Sequence, residues 1–160
     1  MPLLEPGARF PRLALRDERG GPSSLPAGET LCVVFKTTCP TCALTWPYLD
    51  RIRAFAEGGS LALLAVSQDD ALTTREFAER LGTRVDTAYD PEPWPASDAL
   101  GVTVVPTFFR VGPDGALVET VVGFDRARME SLAGHAARLA GRAPAPLFRP
   151  GESVPALKPG

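Results

Sequence analysis

Two cysteines separated by two residues, in Cys39-Pro40-Thr41-Cys42, are the part of this sequence whose types and spacing can do chemistry. Dithiol exchange needs one exposed thiolate that attacks and a second thiol near enough to release the resulting mixed disulfide. Two intervening residues at the start of a helix meet both needs. The first sulfur then sits over unpaired backbone N–H groups at the positive end of the helix, which favours the thiolate. The second lies almost one turn on, within bridging distance. On this reading Cys39 is the nucleophile and Cys42 the resolving thiol. The reaction needs no cofactor and no metal.

Other uses of the pair fit less well. A zinc site normally takes four ligands, and the chain has no second CxxC. Cys32 and His135 would have to complete the set, yet Cys32 lies mid-strand and His135 on a distant carboxy-terminal helix. Cys32 reads as a small core hydrophobe and His135 as a surface or boundary residue. An inert structural pair is a further alternative, as is a binding module that uses its fold but not its thiols. Thiols inert to oxidation and reduction would mark either of these.

The elements around the motif give it context. Leu31-Cys32-Val33-Val34-Phe35, just upstream, is a continuous apolar run of the kind found in strands buried on both faces. Pro40 is tolerated in the first turn of a helix. That helix carries Trp46, Leu49, Ile52 and Phe55 on one face and ends at Gly58-Gly59. Upstream, Phe10, Leu13, Leu15 and Leu25 surround a Gly20-Gly21 turn, which predicts an amino-terminal hairpin. Downstream, Leu61 to Val66 is a second buried strand. Thr73-Thr74-Arg75-Glu76 reads as a capping box opening a helix that stops at Gly82. A short strand near Thr87–Tyr89, a Pro-rich loop and a brief helix to Leu100-Gly101 follow. Gly112-Pro113-Asp114-Gly115 joins strands 107–111 and 117–122, and Asp125 caps a last helix bearing Met129, Leu132, Ala136 and Leu139. The expectation is one α/β domain over residues 1–140 with a mixed sheet.

Residues 141–160 hold five prolines and three glycines, which cannot form a helix or a central strand. They form an extended tail. Leu147, Phe148, Val154 and Leu157 are too apolar for an idle spacer, so the tail is expected to pack on its own domain or a dimer partner, with Phe148 as anchor.

Composition narrows the partners. The net charge of −2 offers no basic field for nucleic acid, and no stretch approaches the roughly 20 apolar residues of a membrane span. Three cysteines and a start without basic and apolar leader regions predict a cytoplasmic location. The expected partners are a disulfide-containing protein and an upstream thiol reductant or oxidant, with the chain a monomer or homodimer.

In order and spacing, several features resemble the thioredoxin-fold redoxin branch, the TlpA/ResA-like thiol–disulfide oxidoreductases related to the AhpC/TSA proteins. Gly7-Ala8-Arg9-Phe10-Pro11 with its hairpin resembles the extra amino-terminal strands of that branch. Val34-Phe35, three residues and Cys39-Pro40-Thr41-Cys42 resemble its active-site strand and turn. Pro47 matches a proline within the active-site helix, Val104-Val105-Pro106-Thr107 a cis-proline segment opposite the dithiol, and Gly123 an end-of-strand glycine. The resemblance covers about residues 7–140. It implies a thioredoxin fold and a substrate groove formed by Pro40, Thr41, Val105 and Pro106. It also implies that Asp70, after the strand that follows the active-site helix, relays a proton to Cys42; read alone, Asp69 or Asp70 caps a helix or turn. The chain departs from the thioredoxin pattern at Val33, where many carry a buried acid, and at Thr38, in place of the usual Trp. A peroxiredoxin-like peroxidase is the enzymatic alternative. Its P-x-x-x-T-x-x-C pattern fails for Cys39, which has Cys32 and Lys36 at the two positions, and for Cys42, which has Phe35 and Cys39.

Overall fold

The computed structural model describes residues 1–160. Its centre is strand β3 (Thr30–Phe35), in which every residue is buried. To be buried on both faces a strand needs helices or chain on either side and neighbours at both edges. Downstream of β1 (Leu15–Arg16) and β2 (Pro22–Ser23), β3 pairs in parallel with β4 (Ala62–Ser67) and antiparallel with β6 (Thr107–Val111). With β5 (Thr87–Tyr89) and β7 (Leu117–Val122), the seven-stranded sheet runs β2-β1-β5-β4-β3-β6-β7. The amino-terminal hairpin extends one edge through the Arg16–Tyr89 pairing. This is the mixed sheet of a thioredoxin fold.

Period-2 alternation sends neighbouring residues of β3 to opposite faces. Leu31, Val33 and Phe35 enter one core with α1 (Pro40–Ala56) and α4 (Arg126–Leu139). Cys32 and Val34 enter the other, with Leu64, Val66, Phe109 and the amino-terminal Leu13 and Leu15. Cys32 therefore faces away from the CxxC helix. Trp46 of α1 lies over Phe35, with ring centroids 3.9 Å apart, which sets the helix against the strand that feeds it.

Helix α2 (Ala71–Leu81) begins two residues before the expected capping box. Asp70 is its N-cap and accepts from the Thr73 amide at 2.8 Å, so the Asp70–Thr73 pair takes the role read into Thr73–Glu76. Gly82 closes the helix with a left-handed φ of 67°. The short α3 (Pro95–Leu100) follows, its free amides at Ala96 and Ser97 satisfied by the buried carboxylate of Asp90.

The tail folds back. Leu147 is fully buried and Phe148 nearly so, and both join the core that contains α1 and α4. The Phe148 ring lies 4.7 Å from that of Tyr48 and 6.1 Å from that of Phe124. Arg51 holds both carboxylate oxygens of Glu152, at 2.7 and 2.6 Å, and donates to the Leu147 carbonyl. The tail then adds β9 (Leu157–Lys158) antiparallel to β8 (Phe124–Asp125). No helix is long and apolar enough to cross a membrane.

Candidate active site

The buried strand β3 ends at Phe35, and four residues later the chain enters α1 with Cys39 as its N-cap. Proline at the first helical position fits because its missing N–H would have had no helical partner. The Cys39 sulfur accepts from the amide of Cys42 at 3.2 Å, taking up one of the orphan donors of the helix start. Its thiol donates to the carbonyl of Val105 at 3.4 Å. The Val105–Pro106 peptide is cis, and Pro106 is buried beneath the same surface.

The two cysteines are in different surroundings. Both are free thiols, Cys39 half-exposed and Cys42 buried. Burial pushes the Cys42 thiol far up; the neighbouring Cys39 and the Asp69 carboxylate add to the rise, while the Lys36 amide opposes it. Cys32, wholly buried on the other face of the sheet, is pushed up to about 12 by desolvation. The two sulfurs of the motif thus divide into one that an incoming group can reach and one held protonated beneath it.

Of the residues singled out in the sequence, Cys39, Cys42, Thr41 and Val105 lie together, Cys42 and Thr41 buried and Cys39 and Val105 half-exposed, with Pro40 exposed at the start of α1. Asp70 does not join them. It is exposed, and its carboxylate is occupied by the amide and hydroxyl of Thr73, which hold it below the usual carboxylate range. The cap, and not the relay, is the role in which the structure places it. The acid that faces the motif is Asp69, one residue earlier. It accepts from the amide of Thr37 at 2.7 Å and from its hydroxyl at 2.9 Å, and so ties the end of β4 to the loop before Cys39. The doublet Asp69-Asp70 was the visible signal, but only packing tells which member turns inward. His135 lies apart, bonded to Glu29 at 2.8 Å.

Three more features were not legible in the sequence. Trp94 sits at a φ of 58°, after a second cis bond at Glu92–Pro93, and its ring lies under the Lys36 ammonium at 4.9 Å. The Thr41 hydroxyl donates to the carbonyl of Pro159 at 2.7 Å. Gly160 lies so close to Val104 and Val105 that a Cβ on it would stand 2.7 Å from Val104 Cγ1 and collide with the Val105 carbonyl. The end of the described chain thus lies against the dithiol surface. The largest surface depression, about 520 Å³ around Arg9, Phe10 and Pro11, is lined by neither cysteine of the motif.

Residues 5–135 match the Redoxin family. The chain belongs to the redoxin family. No curated protein matches it. Among solved structures, this redoxin is similar to a protein of Chlorobium tepidum named as the thiol:disulfide interchange protein DsbE. That pair has a TM-score of 0.74 and 22% identity, covering 86% of this chain and 99% of the other. A thiol:disulfide interchange protein from a Bacteroides species aligns with a TM-score of 0.71 at 18% identity, over 88% and 93% of the two chains. A secreted disulfide oxidoreductase of Mycobacterium tuberculosis aligns with a TM-score of 0.62 at 16% identity, over 78% and 94%. At these identities the likeness establishes the thioredoxin-like fold of the redoxin.

Proposed function

We propose that this redoxin is a thiol–disulfide oxidoreductase that exchanges the Cys39–Cys42 dithiol with a disulfide-containing protein. The observation that carries the reading is the asymmetry of the pair. Cys39 is half-exposed at a helix start, while Cys42 is buried behind it with its thiol pushed up. Membership of the redoxin family and the names of the structural neighbours support the same chemistry.

In the first step the Cys39 thiolate attacks one sulfur of the substrate disulfide. An S–S bond forms to Cys39, and the other substrate sulfur leaves as a thiolate that takes up a proton. In the second step Cys42 loses its proton, attacks the Cys39 sulfur and expels the second substrate thiolate. The substrate gains two electrons and two protons, and the protein is left with a Cys39–Cys42 disulfide. An upstream dithiol restores the reduced pair, or the cycle runs in reverse with an upstream oxidant. Because Cys42 is held protonated, the mixed disulfide persists until a base or the departing thiolate accepts its proton. The Thr37–Asp69 bonds fix the loop from which Cys39 projects. Thr41, Val105 and Pro106 border the face on which the substrate chain lies.

A stopped assay with a disulfide-bonded peptide and a thiol reductant tests the reading. The wild-type chain reduces the peptide, and Cys39→Ser abolishes the reaction. Equal turnover by Cys39→Ser would refute it. We propose a cytoplasmic location, which cell fractionation tests; one structural neighbour is a secreted protein.

A further inference from the structure

We propose that residues 157–160 form a strap that fills the substrate groove, so that the groove binds an extended peptide and holds the chain's own segment until a substrate displaces it. The inference rests on the exchange reading above for the identity of the groove, but the position of the strap is independent of it.

Three contacts define that position. The Pro159 carbonyl accepts from the hydroxyl of Thr41, the residue between Pro40 and Cys42. Gly160 packs on Val104 and on the Val105 carbonyl, the same carbonyl that accepts from the Cys39 thiol at 3.4 Å. Just before, Leu157 and Lys158 pair antiparallel with Asp125 and Phe124. Gly123 is needed for this approach: at a φ of 75°, it also lies so near that an added Cβ would stand 2.8 Å from the Lys158 carbonyl. The strap therefore spans from β8 to the motif in extended form, using main-chain groups in the manner of a peptide added to a sheet edge. An incoming substrate would need the same Thr41 hydroxyl and the same space beside Val105. A small residue next to a proline suits that space because neither places a bulky side chain against the Val105 carbonyl.

The strap and its anchor are separable. Upstream, Leu147, Phe148 and the Arg51–Glu152 pair fix the tail to the core. The strap itself is solvent-exposed on its outer side and buries little, with Leu157 69% exposed. Release of residues 157–160 thus leaves the fold and the anchor in place. Because the strap is tethered, it competes at a high effective concentration, and its removal acts on apparent affinity and not on the chemical step.

The test uses the reduced full chain, a chain ending at Ala156, and full-length Gly160→Val, in which the added branched side chain cannot sit against Val105. Cys39 alkylation by a maleimide carried on an extended peptide, which needs the groove as well as the half-exposed sulfur, and reduction of a disulfide-bonded peptide are measured for each. A strap closed nine-tenths of the time reduces both the alkylation rate and the apparent affinity about tenfold. Both variants are therefore expected to alkylate about tenfold faster and to show a lower KM with unchanged kcat. Adding a synthetic peptide of residues 153–160 in trans should slow alkylation of the shortened chain. Faster alkylation with no peptide reduction by any variant would uphold the strap while refuting the exchange reading. Unchanged alkylation and unchanged KM in both variants, with circular dichroism showing a native fold, would overturn the strap.

Discussion

Replacing Phe148 with alanine removes the largest apolar group that the tail places in the core. The ring is only 7% exposed and packs on Tyr48 at 4.7 Å and Phe124 at 6.1 Å, with the Arg126 guanidinium over it at 4.9 Å. Phe→Ala substitutions in cores cost about 3–5 kcal/mol, counting the transfer of the ring and the cavity it leaves. Phe148 lies at the margin of its core, where the chain can settle partly into the gap, so the lower figure applies. For a chain of this size, about 3 kcal/mol corresponds to a fall in Tm of roughly 6–12 °C, at about 2–4 °C per kcal/mol. Thermal unfolding followed by circular dichroism reads the shift. Removal of residues 144–160 should lower Tm at least as far, because Leu147 and the Glu152 pairing are lost with the ring. A fall of less than about 2 °C in both variants would refute the reasoning, since the tail would then be an appendage to a domain that folds without it.

Four further outcomes follow from other contacts in the structure. Glu152 is depressed to about 2, first by its hydrogen bonds from Arg51 and then by the Arg149 amide, so its contribution is full above the ordinary value of 4.5 and is lost as pH falls toward 2. The Tm difference between wild type and Glu152→Gln should accordingly shrink across that window, and a difference independent of pH would contradict the pairing. Iodoacetamide at pH 8 should label Cys39 in the native protein and all three cysteines after denaturation, because burial holds Cys32 and Cys42 protonated; peptide mapping that finds native Cys32 labelled would contradict this. Asp69→Ala should cost about 1–3 kcal/mol through the unmet Thr37 donors and should also change the rate of Cys39 alkylation. Asp70→Ala should cost about 0.5–2 kcal/mol as a lost cap and leave that rate unchanged; the opposite assignment of the two effects would restore Asp70 as the acid of the site.

Much of the scaffold was legible because its signals are local. The run Leu31–Phe35 reads as doubly covered because each residue is apolar, and the Gly112–Gly115 turn dictates the hairpin of β6 and β7. The CxxC motif was legible for the same reason: its chemistry depends on a spacing of three along one helix. What escaped depends on contacts between distant residues. Asp69 and Asp70 are adjacent and chemically equal, and only the Thr37 loop, 32 residues away, tells which one turns toward the motif. The start of α2 was misplaced because two capping signatures overlap there, and the aspartate upstream of the threonine takes the position. Thr41 meets Pro159 across 118 residues, and no pattern in a Pro-rich tail announces where its carbonyls dock.

The central claim is the division of labour between Cys39 and Cys42, and trapping the covalent intermediate tests it most directly. Cys42→Ser is incubated with a disulfide-bonded protein, quenched with acid, digested and analysed by mass spectrometry. The account predicts a mixed disulfide between Cys39 and the substrate that survives because the resolving thiol is absent, and no adduct on Cys39→Ser under the same conditions. Substrate adducts found on Cys42 of the Cys39→Ser chain, with none on Cys39 of the Cys42→Ser chain, would contradict it.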